Sequence, residues 1–326
     1  MIIIINVPEN KISKDEKVES PFAGKSIGDF VFKYSVIILG MGLPIFMLYL
    51  YLKALISDSM PAIKAFGFKL FIHDRWNPVK NIFGVKTFIF GTITSSIISV
   101  IIALPVSILA SIFIYEYVPI RFRSTLRGLI DLLAGIPSVI YGLWGIFILI
   151  PYLKKHVFPV LEKIIPGINI ITGQTIFTAG IILAIMILPI LINIIIEGFD
   201  TVPNDLREAL LGLGATRWEV SKHVTIGTTK PTIFVGLMLG LGRALGETMA
   251  VTMVIGNNNN PPKSLGSIFE PGQTISSLIA NEFSEASGKL YISTLFEIAL
   301  VLFVITAIFN IAGLLILKKM KEGQKQ

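Results

Sequence analysis

Arg243 and Glu247 stand four residues apart inside GLMLGLGRALGETMAV, a run otherwise free of charge. Measured from Pro231, where this apolar segment begins, Arg243 comes after about 18 Å of helical rise, near the middle of a hydrocarbon core about 30 Å thick. An arginine at that depth costs roughly 2.5–3.5 kcal/mol on insertion scales, and an ionisable side chain there marks a functional site by default. On a helix, Gly236, Gly240, Gly246 and Ala250 fall within roughly 60° of Arg243 around the axis, and Glu247 within about 40°. The charge therefore shares a face with small residues, which suits close helix packing or a polar cavity rather than lipid. A guanidinium fork also matches the oxygens of a tetrahedral oxyanion in bidentate fashion. The expected chemistry is recognition of a passing anion by Arg243, with Glu247 neutralising it when no anion is present. A purely structural ion pair is the competing reading.

A charge at that depth requires membrane-spanning helices, and the composition supplies them. The chain has 326 residues, 53% of them apolar, and a mean hydropathy of +0.77, beyond ordinary soluble composition. Six apolar stretches, at 30–56, 87–115, 129–153, 174–196, 231–255 and 290–317, reach the roughly 20 residues a crossing needs. This predicts an all-α integral membrane protein of six transmembrane helices. One membrane domain at 30–317 is flanked by polar tails at 1–29 and 318–326. The opening MIIIIN is followed by Lys11, Lys14, Asp15, Glu16 and Lys17. Its apolar run is shorter than the roughly 7–15 residues of a secretory core, so the first span is expected to act as its own insertion signal.

Cysteine is absent, which excludes disulfides and thiolate metal sites. The net charge of +7 is explained by cationic loops facing the cytoplasm and needs no nucleic acid partner. Segments 1–29, 116–128, 197–230 and 318–326 carry more Lys and Arg than 57–86, 154–172 and 256–289. The short 116–128 loop, with Arg121, Arg123 and Arg127, weighs most. The rule places both termini and the 197–230 segment in the cytoplasm.

Elsewhere the signals are milder. In AGIPSVIYGLWG, Pro137 removes a backbone donor inside the expected third span. This is either a kink packed against neighbours or an interruption lining a cavity, and Ser138 beside it is a candidate pathway residue. Pro44, Pro105 and Pro189 read as kinks, and Asp131 as a solvated interfacial residue. In the 57–86 loop, Phe71, Trp76 and Phe83 read as interfacial anchors. The 154–172 loop contains Pro159, Pro166 and Gly167, and NNNNPP at 257–262 forms a turn no helix passes through. No P-loop occurs, so this chain is not expected to hydrolyse nucleotide. His73, His156 and His223 are scattered and offer no metal set.

The segment EALLGLGATRWEV, Glu208 to Val220, is polar enough to lie outside the bilayer. Asn204 or Asp205 is a plausible helix start, and Thr216 a cap for a second short helix. Trp218 projects from an abrupt turn, as a knob for a partner's groove. Glu208-Ala209-Leu210 followed by Gly214 resembles the EAA loop of importer-type ABC permeases, with Val224-Thr225-Ile226-Gly227 where that pattern usually ends in proline. WNP with a following FG, IPSVIYGLWG and LGRALGETMAV resemble the PstC-type permeases of phosphate-specific transport systems over about residues 30–317.

The resemblance implies a type I ABC importer permease fold in the plasma membrane. Arg243 and Glu247 match the arginine and glutamate implicated in transport in that family. Glu208, Ala209, Gly214, Ala215, Thr216, Arg217 and Trp218 match the element that docks on the ATPase. It further implies a PstA-like sister permease, a PstB-like ATPase pair that uses ATP and Mg, and a PstS-like phosphate-binding protein outside. This chain itself would bind no cofactor. Another oxyanion such as molybdate or sulfate, the PstA-type sister, an ATP-independent channel or carrier, and a signalling subunit are the alternatives. WNP and GLWG disfavour the PstA-type sister.

Overall fold

The computed structural model describes residues 27–165, 168, 170–262 and 265–323. Most of the expected N-terminal tail, the last residues of the C-terminal one, and Pro166 and Gly167 lie outside them. Six helices are long and apolar enough to cross a membrane. They are α1 (Val31–Phe66), α2 (Lys86–Tyr117), α4 (Ser138–Ile164), α5 (Ile176–Asp200), α7 (Arg217–Gly246) and α10 (Lys289–Glu322). Between them lie α3 (Ile120–Ala134), α6 (Asn204–Gly212), α8 (Met249–Val254) and α9 (Ile275–Glu282), with single turns at Lys69–Ile72, Pro78–Lys80 and Leu265–Phe269. Among the described residues the only β structure is two isolated bridges, Asn77 to Ile82 and Gly256 to Gly272.

The packing divides at Ala54. Side chains 31–54 of α1 are exposed almost throughout. Beyond Leu55, α5 is the central helix, with 61% of its apolar window buried, against 11% for α10. Two devices let helices approach α5 closely. On α2, Thr92, Ser96 and Ser111 turn their hydroxyls back on carbonyls four residues earlier, at 2.7–2.8 Å, so a buried polar stripe costs no unpaired donors. On α7, the small face meets α5 directly. A methyl group on Gly240 would lie 3.5 Å from Leu191 and 3.6 Å from Ile187, and one on Gly236 3.3 Å from Ile194.

Several expectations about boundaries change. The third span does not run over 129–153. Residues 120–134 form α3, an amphipathic helix with no buried residue, and the spanning helix starts at Ser138 and continues to Ile164. Gly135 and Pro137 separate the two, since proline cannot supply the helical donor at that point. The expected 154–172 loop is thus mostly helix. Phe83 is 2% exposed and Trp76 half-buried, so neither is an interfacial anchor. Their rings pack edge-on at 4.9 Å, with Phe66, Phe88 and Tyr291 around them. Asn77 folds this segment back by accepting from Lys80 N–H and bridging to Ile82. Phe71 alone remains 41% exposed.

Asp131 is not merely solvated. Its Oδ1 accepts a 2.6 Å hydrogen bond from Asn193 of α5, and Arg127 of the same helix pairs with Asp200 at 3.0 Å. These two contacts fasten α3 along the last third of α5.

Candidate functional site

The fifth span is interrupted beside its arginine. Helix α7 ends at Gly246, and Glu247 turns extended at φ −70°, ψ 129°. Thr248 follows at φ −112°, ψ −64°, and α8 begins at Met249. Gly242 and Gly246 each weaken the helix by about 1 kcal/mol relative to alanine. Thr248 then competes for the freed backbone. Its hydroxyl donates to the Gly246 carbonyl at 3.3 Å, while Thr252 donates to the Thr248 carbonyl at 2.8 Å. The continuous helix expected to carry both charges is therefore absent. No ion pair joins Arg243 to Glu247 among the described residues, because the four-residue spacing makes neighbours only on an unbroken helix.

Arg243 is left half-buried in the last turn of α7. The negative end of the helix dipole stabilises a cation there by about 0.3–1 kcal/mol. Its depth follows from its neighbours. Gly240, one turn earlier, faces Ile187 and Leu191 of α5, which sets Arg243 about 12 Å along α5 from Ile176 at 1.5 Å per residue.

The start of the third span meets the helix beyond this break. The first turns of α4 pack on α8, and a methyl group on Gly142 would lie 2.5 Å from the Met253 sulfur and 3.2 Å from the Ala250 Cα. Tyr141 of α4 is 8% exposed. Its hydroxyl donates at 2.8 Å to the Leu133 carbonyl of α3, one of the orphan acceptors at a helix end. Ser138 opens α4 after Pro137 and is half-buried. The first turns of α4 thus lie against the helix that follows the break after α7, a juxtaposition that no spacing in the chain announces.

The Glu208 segment is α6 and the start of α7. Helix α6 closes in a Schellman motif: Ala215 N–H reaches Leu210 O at 3.1 Å and Gly214 N–H reaches Leu211 O at 3.0 Å. Gly214 takes φ +89° there, a conformation that costs any residue with a Cβ. Thr216 caps through a box with Glu219, but what it caps is the fifth span itself rather than a separate short helix. Along the turn, Glu208 and Ala209 are exposed, with Leu213 at 85% and Trp218 at 46%. Ala215 is half-buried.

What anchors this exposed element lies far away in sequence. Glu116, at the end of α2 and 5% exposed in its side chain, accepts from Arg207 of α6 at 2.6 Å. Its backbone carbonyl accepts from Arg217 at 3.2 Å. Arg207 and Arg123 also sit over the Tyr115 ring, at 4.8 and 5.4 Å. Sequence reasoning missed this latch; an acidic residue directly after an apolar run was its only visible trace.

Comparison with known proteins places the architecture. Residues 107–322 match the family of binding-protein-dependent transport system inner membrane components. The chain is 46% identical over 261 residues to the phosphate transport system permease protein PstC of Mesorhizobium japonicum, covering 78% of this chain and 79% of that one. It is 42% identical over 275 residues to the probable PstC of Methanocaldococcus jannaschii, covering 81% and 86%. Among solved structures, a bacterial alginate ABC transporter with its pentasaccharide-bound periplasmic protein superposes with a TM-score of 0.57. It is 20% identical and covers 87% of this chain and 95% of its own, a likeness of fold.

Proposed function

This chain belongs to the family of PstC phosphate transport permeases, and from that premise we propose that Arg243 contacts phosphate as it crosses the membrane. The chain is the permease subunit of an ATP-driven phosphate importer, with the type I ABC importer fold. The observation that carries the site assignment is a half-buried guanidinium, without an ion-pair partner among the described residues, in the last turn of α7 where that helix breaks. Bidentate donation to a tetrahedral oxyanion would satisfy it. Glu247, freed from the helix, neutralises Arg243 in a state where the break rewinds, and Ser138 lines the same passage.

The remaining assembly follows as part of this reading. Residues 30–317 form one translocating domain, both termini face the cytoplasm, and α6 with the start of α7 docks on an ATPase pair. Those subunits use ATP and Mg, and this chain holds no cofactor. A sister permease completes the pathway, and a phosphate-binding receptor delivers cargo on the opposite side. Glu208, Ala209, Gly214, Ala215, Thr216, Arg217 and Trp218 transmit the ATPase's closure.

The test is reconstitution with these partners in proteoliposomes, measuring ATP-dependent uptake of phosphate against sulfate and molybdate. Phosphate is expected to be preferred, and Arg243→Gln to abolish uptake while the complex still assembles. Full uptake by that variant, or uptake independent of ATP, overturns the reading.

A further inference from the structure

The α6 end of the bundle carries more cationic charge than its own carboxylate accounts for. Arg123 of α3, Arg207 of α6 and Arg217 of α7 line a cavity of about 250 Å³, together with Glu116, Leu211 and Val220. Three guanidinium groups meet one carboxylate. Arg217 is exposed and Arg123 half-buried. Among the described residues Glu116 pairs with Arg207 alone, its Oε1 buried without a hydrogen-bond partner, and the Arg207 side chain is 19% exposed with a buried Nε likewise unpartnered. Cations partly withdrawn from water need an anion beside them. The other two arginines are held in place by backbone. Arg123 donates from Nε to the Val118 carbonyl at 3.0 Å, and Arg217 from Nη1 to the Glu116 carbonyl at 3.2 Å. Such tethers orient a planar fork and leave its other N–H groups to bind. Both terminal nitrogens of Arg123 lack a hydrogen-bond partner among the described residues.

We propose that Arg123, Arg207 and Arg217 form a second anion site, selective for a phosphate group and separate from the Arg243 passage. Several fixed guanidinium forks around one small cavity favour an oxyanion with adjacent charged oxygens. Two sources present that chemistry here: free inorganic phosphate and the phosphodiester of an anionic lipid headgroup. The bound group bridges α3, α6 and the start of α7, of which Glu116 joins only the last two. It therefore holds the coupling element still. Free phosphate in this role slows its own import from the receiving side, an inference that rests on the proposed reading of α6 as the ATPase dock.

The test uses the assembled transporter without its receptor, carrying Arg243→Gln so that the passage itself contributes no phosphate binding. The nucleotide sites are filled with a non-hydrolysable ATP analogue. The complex is placed in phosphatidylcholine nanodiscs and titrated with radiolabelled inorganic phosphate. Saturable binding is expected, and adding Arg123→Gln should weaken it about 10- to 100-fold, the worth of one hydrogen bond to a charged group. Arg123→Lys, which keeps the charge and controls for misfolding, should weaken it less. Nanodiscs containing phosphatidylglycerol separate the two sources. Arg123-dependent loss of phosphate binding there makes the headgroup the resident ligand, and unchanged binding makes it free phosphate. Phosphate binding that ignores Arg123→Gln, or none in phosphatidylcholine, overturns the proposal. Failure of wild-type transporter to import phosphate would sink the transport reading while leaving this titration interpretable.

Discussion

Two glycines two residues apart in the coupling turn should respond in opposite directions to the same change. Gly214 holds φ +89°, and Gly212 is the last residue of α6 with no such constraint. A methyl group at either position meets nothing within 4 Å, so packing drops out and only backbone conformation remains. Left-handed geometry costs an alanine about 1–2 kcal/mol, whereas alanine in place of a helical glycine gains up to about 1 kcal/mol. Gly214→Ala also loosens both bonds of the Schellman motif. The population of the ordered turn should therefore fall roughly 5- to 30-fold for Gly214→Ala and hold or rise for Gly212→Ala. Gly214→Asn should be intermediate, because asparagine tolerates this region better than other residues with a side chain. The assay is phosphate imported per ATP hydrolysed in proteoliposomes, with thermal stability of the purified complex as a control for the membrane helices. Gly214→Ala should lower the ratio with little change in melting temperature. Equal behaviour of the two alanine variants would refute the argument.

Gly142→Val should close the gap between α4 and α8, where a first added carbon already falls 2.5 Å from the Met253 sulfur. Overpacking of this kind costs about 1–3 kcal/mol, to be read as a lowered melting temperature together with reduced uptake. Glu282, outside the spans and accepting a hydrogen bond from Tyr291, is pushed above the usual carboxylate range chiefly by burial, reinforced by Glu285. A carboxyl whose folded pKa is raised stabilises at low pH, and that contribution is lost as pH rises through the folded value. Glu282→Gln should thus flatten the decline in melting temperature between mildly acidic and neutral pH; an unchanged slope would remove Glu282 as its cause. The chain has no cysteine, so Leu213→Cys, at an 85% exposed position, reports orientation directly. A membrane-impermeant maleimide should label it only from the cytoplasmic side.

Much of this architecture was legible in the chain because the bilayer enforces it. Apolar runs of sufficient length have few other fates in a membrane, and a charge within one stands out at once. Half of the small face expected around Arg243 holds: Gly236 and Gly240 pack on α5, whereas Gly246 is exposed and Ala250 lies past the break. The turn after α6 was legible for a local reason: Gly214 and the Thr216–Glu219 box are short-range devices written in adjacent residues. What failed was continuity. Hydropathy counts residues 129–134 and 247–255 with their neighbours, since it registers solvent preference and is blind to a single residue leaving the helix.

Residue types alone determined six membrane-spanning stretches, an arginine inside the fifth apolar run, and a polar turn exposed outside the spans. Tertiary structure alone decided that Arg243 stands apart from Glu247, and that Glu116 holds the turn after α6 through Arg207. The first set follows from transfer energies and local backbone preferences, which act over one or two helical turns. The second depends on which helix packs beside which, and contacts such as Glu116 with Arg207, separated by 91 residues, leave no periodic mark in the chain.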